Sequence, residues 1–303
     1  MITRSICLVL GAGASVPYGF PTGRDLLLKV SGELRKHSSP TAELLRGIGF
    51  DEKKLEAFEE SLRLSMLPSV DLFLVNRPEY LELGRAAIVA ALVPCEDPGA
   101  LLLREGERRW YEFLRECLGA SPEDFRRNHL SVVTLNYDRS LEYFLVTALK
   151  HSNNLEEPEA AKLLEAVPII HVYGQLGRPH FVNPEGRAYS PNVSSDMVKK
   201  YATEIVIAQQ PDWLRSASGG HALALRCIQK AGLVCFLGFG YHDANIDYLG
   251  LDKLDPKVLL LGSAYQLGAT RRKQVESRFH DRITLGGDEE DILTYLTGHD
   301  VLA

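Results

Sequence analysis

The chain has no C-x-x-C pair anywhere in its 303 residues. Its five cysteines, Cys7, Cys95, Cys117, Cys227 and Cys235, are odd in number and lie mostly in apolar runs. A disulfide framework and a structural zinc ribbon both need paired thiols at set spacings, so these cysteines read as reduced core residues of a cytoplasmic protein with no metal. Positive charge is not in excess either. Lys and Arg number 34 against 40 Asp and Glu, a formal net charge of −6, which leaves no basic footprint for nucleic acid. The clusters "RRWYEFLREC" and "RRKQVESR" are interleaved with acids and read as solvated helix faces. Long apolar runs are missing as well. The longest candidate, "AAIVAALVPC", falls well short of the roughly 18 residues a membrane span needs. Arg4 followed by an apolar stretch mimics a secretory leader, but the glycine spacing after it reads as a strand and a ligand turn.

What is present is ordinary globular material, 45% hydrophobic and 24% charged, enough to bury about three quarters of the unfolded surface. Strand-length apolar runs recur, each followed by a Gly-rich or polar turn: "SICLVLGAG", "LSVVTLNYD", "VPIIHVYGQLG", "GLVCFLGFGYHD" and "KVLLLGSAY". Their continuous apolar character predicts parallel strands covered on both faces. Helical spacing separates them: Leu141, Phe144, Leu145, Ala148 and Leu149 fall at i, i+3, i+4, i+7 and i+8, and Trp110, Phe113, Leu114, Cys117 and Leu118 repeat the pattern. The expected fold is a single α/β domain over 1–303, a Rossmann-like doubly wound parallel sheet without a zinc module. Two stretches interrupt the alternation. Residues 40–128 read as a helical insertion, and residues 183–232 as the polar loop "NPEGRAYSPNVSSD" running on into helix.

The first strand ends in Gly11-Ala12-Gly13-Ala14-Ser15. Bare backbone N–H groups between a strand and a helix suit a phosphate, although small residues also suit a plain tight turn. The dinucleotide fingerprint G-x-G-x-x-G is not met, because Val16 stands where its third glycine would be, and no Walker lysine follows. Ligands of open α/β sheets bind beyond the carboxyl ends of the strands. There the chain offers Asn136 and Asp138 in "TLNYD", His171 in "HVYG", and more bare backbone in "GFGYHD". Asp138 reads either as a ligand contact or as the cap of the next helix, and His171 either as a base or as a hydrogen-bonded core residue. Asn136 brings four hydrogen-bonding positions to a strand end, which calls for a use.

Taken in order, these motifs resemble the sirtuins, and more closely the sirtuin-like domains of prokaryotic anti-phage defence proteins. The resemblance is carried by Gly11-Ala12-Gly13-x-Ser15, Gly19-Phe20-Pro21-Thr22-Gly23-Arg24, Thr134-Leu135-Asn136-Tyr137-Asp138, His171-Val172-Tyr173-Gly174 and Gly238-Phe239-Gly240-Tyr241-His242-Asp243. It implies an NAD site. Gly11, Ala12, Gly13 and Ser15 would hold the pyrophosphate, Asn136 the nicotinamide ribose, with Asp138 near the carboxamide and His171 as general base. Pro21, Thr22 and Arg24 would border the dinucleotide, as would Gly238, Phe239 and Gly240. Gly262 and Ser263 are candidates for the adenine side by position alone.

Departures from the deacetylase pattern set the expected reaction. Classical sirtuins carry Gly-Ile-Pro-Asp-Phe-Arg where this chain has Gly19-Phe20-Pro21-Thr22-Gly23-Arg24, and their Gly-Thr-Ser stretch appears here as Gly238-Phe239-Gly240. With the shielding Phe and the zinc module both absent, water is the expected acceptor. The reading is an NAD glycohydrolase releasing nicotinamide and ADP-ribose, an effector of defence by NAD depletion. Its rivals are an NAD-dependent deacylase and a non-catalytic module that binds NAD or ADP-ribose. The resemblance also implies gating, through a homo-oligomer and a separate activating protein such as an ATPase. The apolar segments "VDLFLVNRPEYLELGRAAIVAALVP" and "WYEFLRECL" read either as such an interface or as core helices.

Overall fold

The computed structural model describes residues 1–102, 106, 108–207 and 220–302. Six strands form one sheet: β1 (Ile6–Leu10), β2 (Leu130–Thr134), β3 (Ile169–His171), β4 (Leu233–Leu237), β5 (Leu259–Gly262) and β6 (Ile283–Leu285). Their order is β3-β2-β1-β4-β5-β6 and every pair is parallel. The fold is therefore a Rossmann-like α/β sheet flanked by helices. β1 and β4 are buried at every position, as expected of strands covered on both faces. The first five strands lie in the five apolar runs read from sequence. β6 does not: "ITL" between Arg282 and Gly286 is too short to stand out, and it becomes a strand by pairing Ile283 with Leu260.

The two helical patterns form as helices, Ser140–Asn153 and Trp110–Cys117. Between 40 and 128 the described residues hold helices and no strand. The helix Leu81–Leu92 buries Ala86 through Leu92 without a break, and the helix Val70–Asn76 buries Val70, Phe73 and Leu74. Their apolar surface is spent inside the chain, as is that of Trp110, Tyr111 and Leu114. The buried residues of these segments therefore belong to the core.

The insertion also docks on the first turn. Trp110 Nε1 donates to the Ala14 carbonyl at 2.9 Å, and the Tyr18 and Tyr111 rings stack at 3.6 Å. Residues 183–232 contain the expected loop, the helix Ser195–Ala202 and the helix Gly220–Lys230, with residues 208–219 of that stretch outside the described residues. All five cysteines are free, and burial pushes the Cys7 thiol up to about 12. No helix among the described residues is long and apolar enough to cross a membrane.

Candidate functional site

Register brings the strand ends level. Leu10 pairs with Thr134 on one side and Leu237 on the other, Thr134 pairs with His171, and Phe236 with Gly262. The chain runs from β1 outward through β2 and β3, then returns to place β4 on the other flank of β1. The order thus reverses at β1, and such reversals open the crevice in which α/β sheets bind ligands. Gly11 and the 3-10 helix Ala12–Tyr18 sit at that point.

The glycines there meet glycines. Gly11 N donates to the Leu237 carbonyl and Gly13 N to the Gly238 carbonyl, both at 3.0 Å. A Cβ on Gly11 would come within 2.6 Å of the Gly238 carbonyl oxygen, and one on Gly13 within 2.9 Å of it. Gly238 has φ of +56°, and its own Cβ would reach 2.1 Å from Ala14 N. Backbone therefore packs on backbone, and part of the bareness of the turn is a requirement of folding. The N–H groups of Gly11 and Gly13 are consumed in this seam. Ala12 and Gly13 remain half-exposed, whereas Ser15 is buried.

On the β2 and β3 side, the predicted residues join through side chains. Asn136 N is held by Thr134 Oγ1 at 3.1 Å. Its Nδ2 donates to the Gly11 carbonyl and to Ser15 Oγ, both at 3.0 Å. Because a carbonyl can only accept, the amide orientation is set. No donor among the described residues reaches Asn136 Oδ1. Ser15 Oγ donates to Asp138 Oδ2 at 2.7 Å, and Asp138 Oδ1 accepts from Ser140 N at 3.1 Å and from the Ser140 hydroxyl. The Tyr111 hydroxyl backs Ser140 at 2.8 Å. Asp138 is thus buried just before the Ser140–Asn153 helix, whose N-cap is Arg139, and holds Ser140 N in a local side-chain turn. Burial raises its pKa against the pull of Ser140 and Ser15.

His171 has partners on both ring nitrogens. Nδ1 lies 2.9 Å from the Asn136 carbonyl, and Nε2 lies 2.5 Å from Glu142 Oε1, with 8% of the His171 side chain exposed. Burial works against its charge, but Glu142, the Asn136 carbonyl and Asp138 outweigh it and raise the pKa above the ordinary value. Both partners accept, so an imidazolium satisfies both, and neither nitrogen keeps a lone pair in this arrangement.

The remaining predicted residues divide. Thr22 caps the helix Gly23–Leu34 in a capping box with Asp25, Arg24 and Gly240 are exposed, and Pro21 is half-buried. Phe239 is buried against Phe236 and Tyr241. Ser263 Oγ accepts from Gly238 N at 3.0 Å, and Gly262 leaves room for the Tyr241 hydroxyl, which donates to the Ser263 carbonyl. Both residues are buried supports of the turns beside them.

Sequence reasoning missed Glu142, since an acid in the first turn of a helix is usual and nothing in the sequence links it to His171. It also missed a buried trio. Glu96, with no exposed surface, accepts from Arg139 Nε at 3.0 Å and Nη2 at 2.5 Å, and from Arg187 Nη2. Arg139 further donates to the carbonyls of Arg187 and Ala188, tying the loop to the residue after Asp138. An acid directly after "AAIVAALVPC" was the available signal.

A cleft of about 400 Å³, lined by Leu225, Ile228, Leu249, Lys253 and Val258 among others, lies elsewhere, at the amino ends of β4 and β5. Among the described residues His37, Glu52 and Glu56 could gather around a cation, but Arg46 already pairs with Glu52 at 2.9 Å. No protein-family model matches the chain, and no curated protein matches it.

Proposed function

We propose that the strand-end site binds NAD and hydrolyses it to nicotinamide and ADP-ribose. The observation that carries this reading is the Asn136 amide. Its two donor positions are spent on the Gly11 carbonyl and Ser15 Oγ, which aim it, while Oδ1 keeps its acceptor capacity at the strand end. An aimed neutral acceptor can orient a ribose hydroxyl or a water without trapping the cationic centre that glycosidic cleavage creates. The reversal of strand order beside it is where open α/β sheets bind ligands, and the resemblance to sirtuin-like defence domains supplies the substrate class, with NAD as substrate and no metal. A homo-oligomer and a separate activating protein belong to the same proposal.

The occupied ring nitrogens of His171 favour a second reading, a module that binds NAD or ADP-ribose without turnover. One assay separates the two. Purified protein is incubated with NAD, alone and with neighbouring gene products, while nicotinamide release and calorimetric binding are followed. Turnover is expected, and Asn136→Ala is expected to lower it about a hundredfold with the fold retained. Binding without nicotinamide release under every condition would establish the second reading, and absence of binding would remove both.

A further inference from the structure

Two groups meet the His171 ring, and they are not equally free to move. The Asn136 carbonyl that accepts from Nδ1 belongs to backbone held at a strand end, with Asn136 N bound to Thr134 Oγ1 and Leu135 N bound to the Leu10 carbonyl at 3.0 Å. The backbone of His171 is fixed as well: Val172 N donates to the Thr134 carbonyl at 2.9 Å, and Gly220 of the Gly220–Lys230 helix sits so close that a Cβ there would lie 2.8 Å from the His171 carbonyl oxygen. Glu142, by contrast, reaches Nε2 with a flexible side chain from the first turn of the Ser140–Asn153 helix.

We propose that Glu142 is a positioning residue of the strand-end site, which holds the His171 ring through Nε2 and whose withdrawal frees that nitrogen, and no other, to take a proton. The inference rests on the reading of this site as an NAD site only for its consequence on turnover. With Glu142 ionised and in place, both partners of the ring accept and both nitrogens carry hydrogen. When Glu142 swings away, the Nε2 proton loses its acceptor and passes to water, Nδ1–H keeps its bond to the Asn136 carbonyl, and Nε2 is left with a lone pair. A base then exists where none did before.

The charged surroundings of the ring are few, so the assignment to Glu142 is specific. Glu142 is in contact, and Asp138 acts from farther off at the start of the same helix. β2, the strand paired with β3, has no charged residue. The Gly220–Lys230 helix packs on β3, but its Arg226 and Lys230 are exposed and its His221 stacks on Tyr248 at 4.0 Å. Burial alone would drive the proton off the ring, and the Glu142 carboxylate is the largest influence opposing it.

Proton-detected and pH-titrated NMR of the His171 ring in the full chain tests this, with His171→Asn identifying the signal. The wild-type ring is expected to keep protons on both nitrogens beyond the ordinary histidine range. In Glu142→Gln its titration is expected to fall by about one pH unit or more, a proton affinity about tenfold weaker. The neutral ring should then carry hydrogen on Nδ1. In turnover, the same variant should move the acid limb of the kcat profile to lower pH and leave KM for NAD nearly unchanged, and Glu142→Asp should restore part of the wild-type profile.

A wild-type ring that titrates at or below the ordinary value overturns the inference without any variant, so a poorly folded Glu142→Gln does not rescue it. An unchanged His171 titration in folded Glu142→Gln also overturns it, whatever the turnover. If NMR gives the expected shifts while no form of the protein cleaves NAD, the hydrolase reading fails and the role of Glu142 on the ring stands.

Discussion

The two flanks of β1 are built by different means. On the β4 flank, Gly11, Gly13 and Gly238 press backbone against backbone, with hydrogen bonds of 3.0 Å and no space for a single Cβ. On the β2 flank, the contacts run through side chains, from Asn136 to Ser15 to Asp138 and from His171 to Glu142. The first flank is decided by shape and the second by placement of protons and charge. Glycine there is an answer to sterics, and the same residues cannot be counted as free phosphate donors, because their N–H groups are already used. The second flank keeps an open acceptor and a titratable ring, which are the raw materials of chemistry.

The comparison breaks most sharply at Gly238. Replacing it with Ala puts a Cβ 2.1 Å from Ala14 N on a residue at positive φ, and a loss of about 4 kcal/mol or more is expected in denaturant unfolding, enough to abolish folding of a marginal domain. A soluble Gly238→Ala protein of unchanged stability would mean that the seam yields far more than its 2.1 Å approach implies.

Next comes the buried trio on the β2 flank. Glu96→Ala leaves the guanidinium groups of Arg139 and Arg187 buried without their anion, and about 3–5 kcal/mol of stability should be lost. Urea unfolding measures it, and a loss under 1 kcal/mol would show that the arginines reach water instead.

The smallest effect is expected at Asp138. Asn keeps the shape and can still accept from Ser140, so Asp138→Asn should cost about 1 kcal/mol near neutral pH. The direction of its pH dependence is informative. Burial raises the pKa of native Asp138 above its unfolded value, so the native state holds that proton more tightly. Its contribution to stability is complete below about pH 3.9 and is lost as pH rises through the native value. The variant lacks this loss, and its stability should close on that of the wild type as pH increases across that range. A gap that widens instead would mean that the ionised carboxylate is favoured by Ser15 and Ser140 more than burial disfavours it.

Much of the fold was legible because burial on both faces of a parallel strand leaves an unbroken apolar run, and five such runs mark β1 to β5. β6 was not, since three residues carry no such run and only pairing with β5 makes them a strand. The core role of the Leu81–Leu92 helix was also undecidable locally, as an all-round apolar helix reads equally as interior or interface until its neighbours are known. At the site, Asn136, Asp138 and His171 were visible as polar residues at the ends of apolar runs. Their partners Ser140 and Glu142 were not, because helix starts are rich in such residues for reasons of capping alone.

By itself, the sequence determined the first five strands, their parallel character and the bareness of the Gly11–Ser15 turn, all properties of local spacing and side-chain size. Tertiary structure alone decided what that bareness serves, since only the return of β4 to the flank of β1 brings Gly238 against Gly11 and Gly13. It likewise decided the state of His171, because a ring's proton depends on acceptors that lie 35 and 29 residues away in the chain and within 3 Å in space.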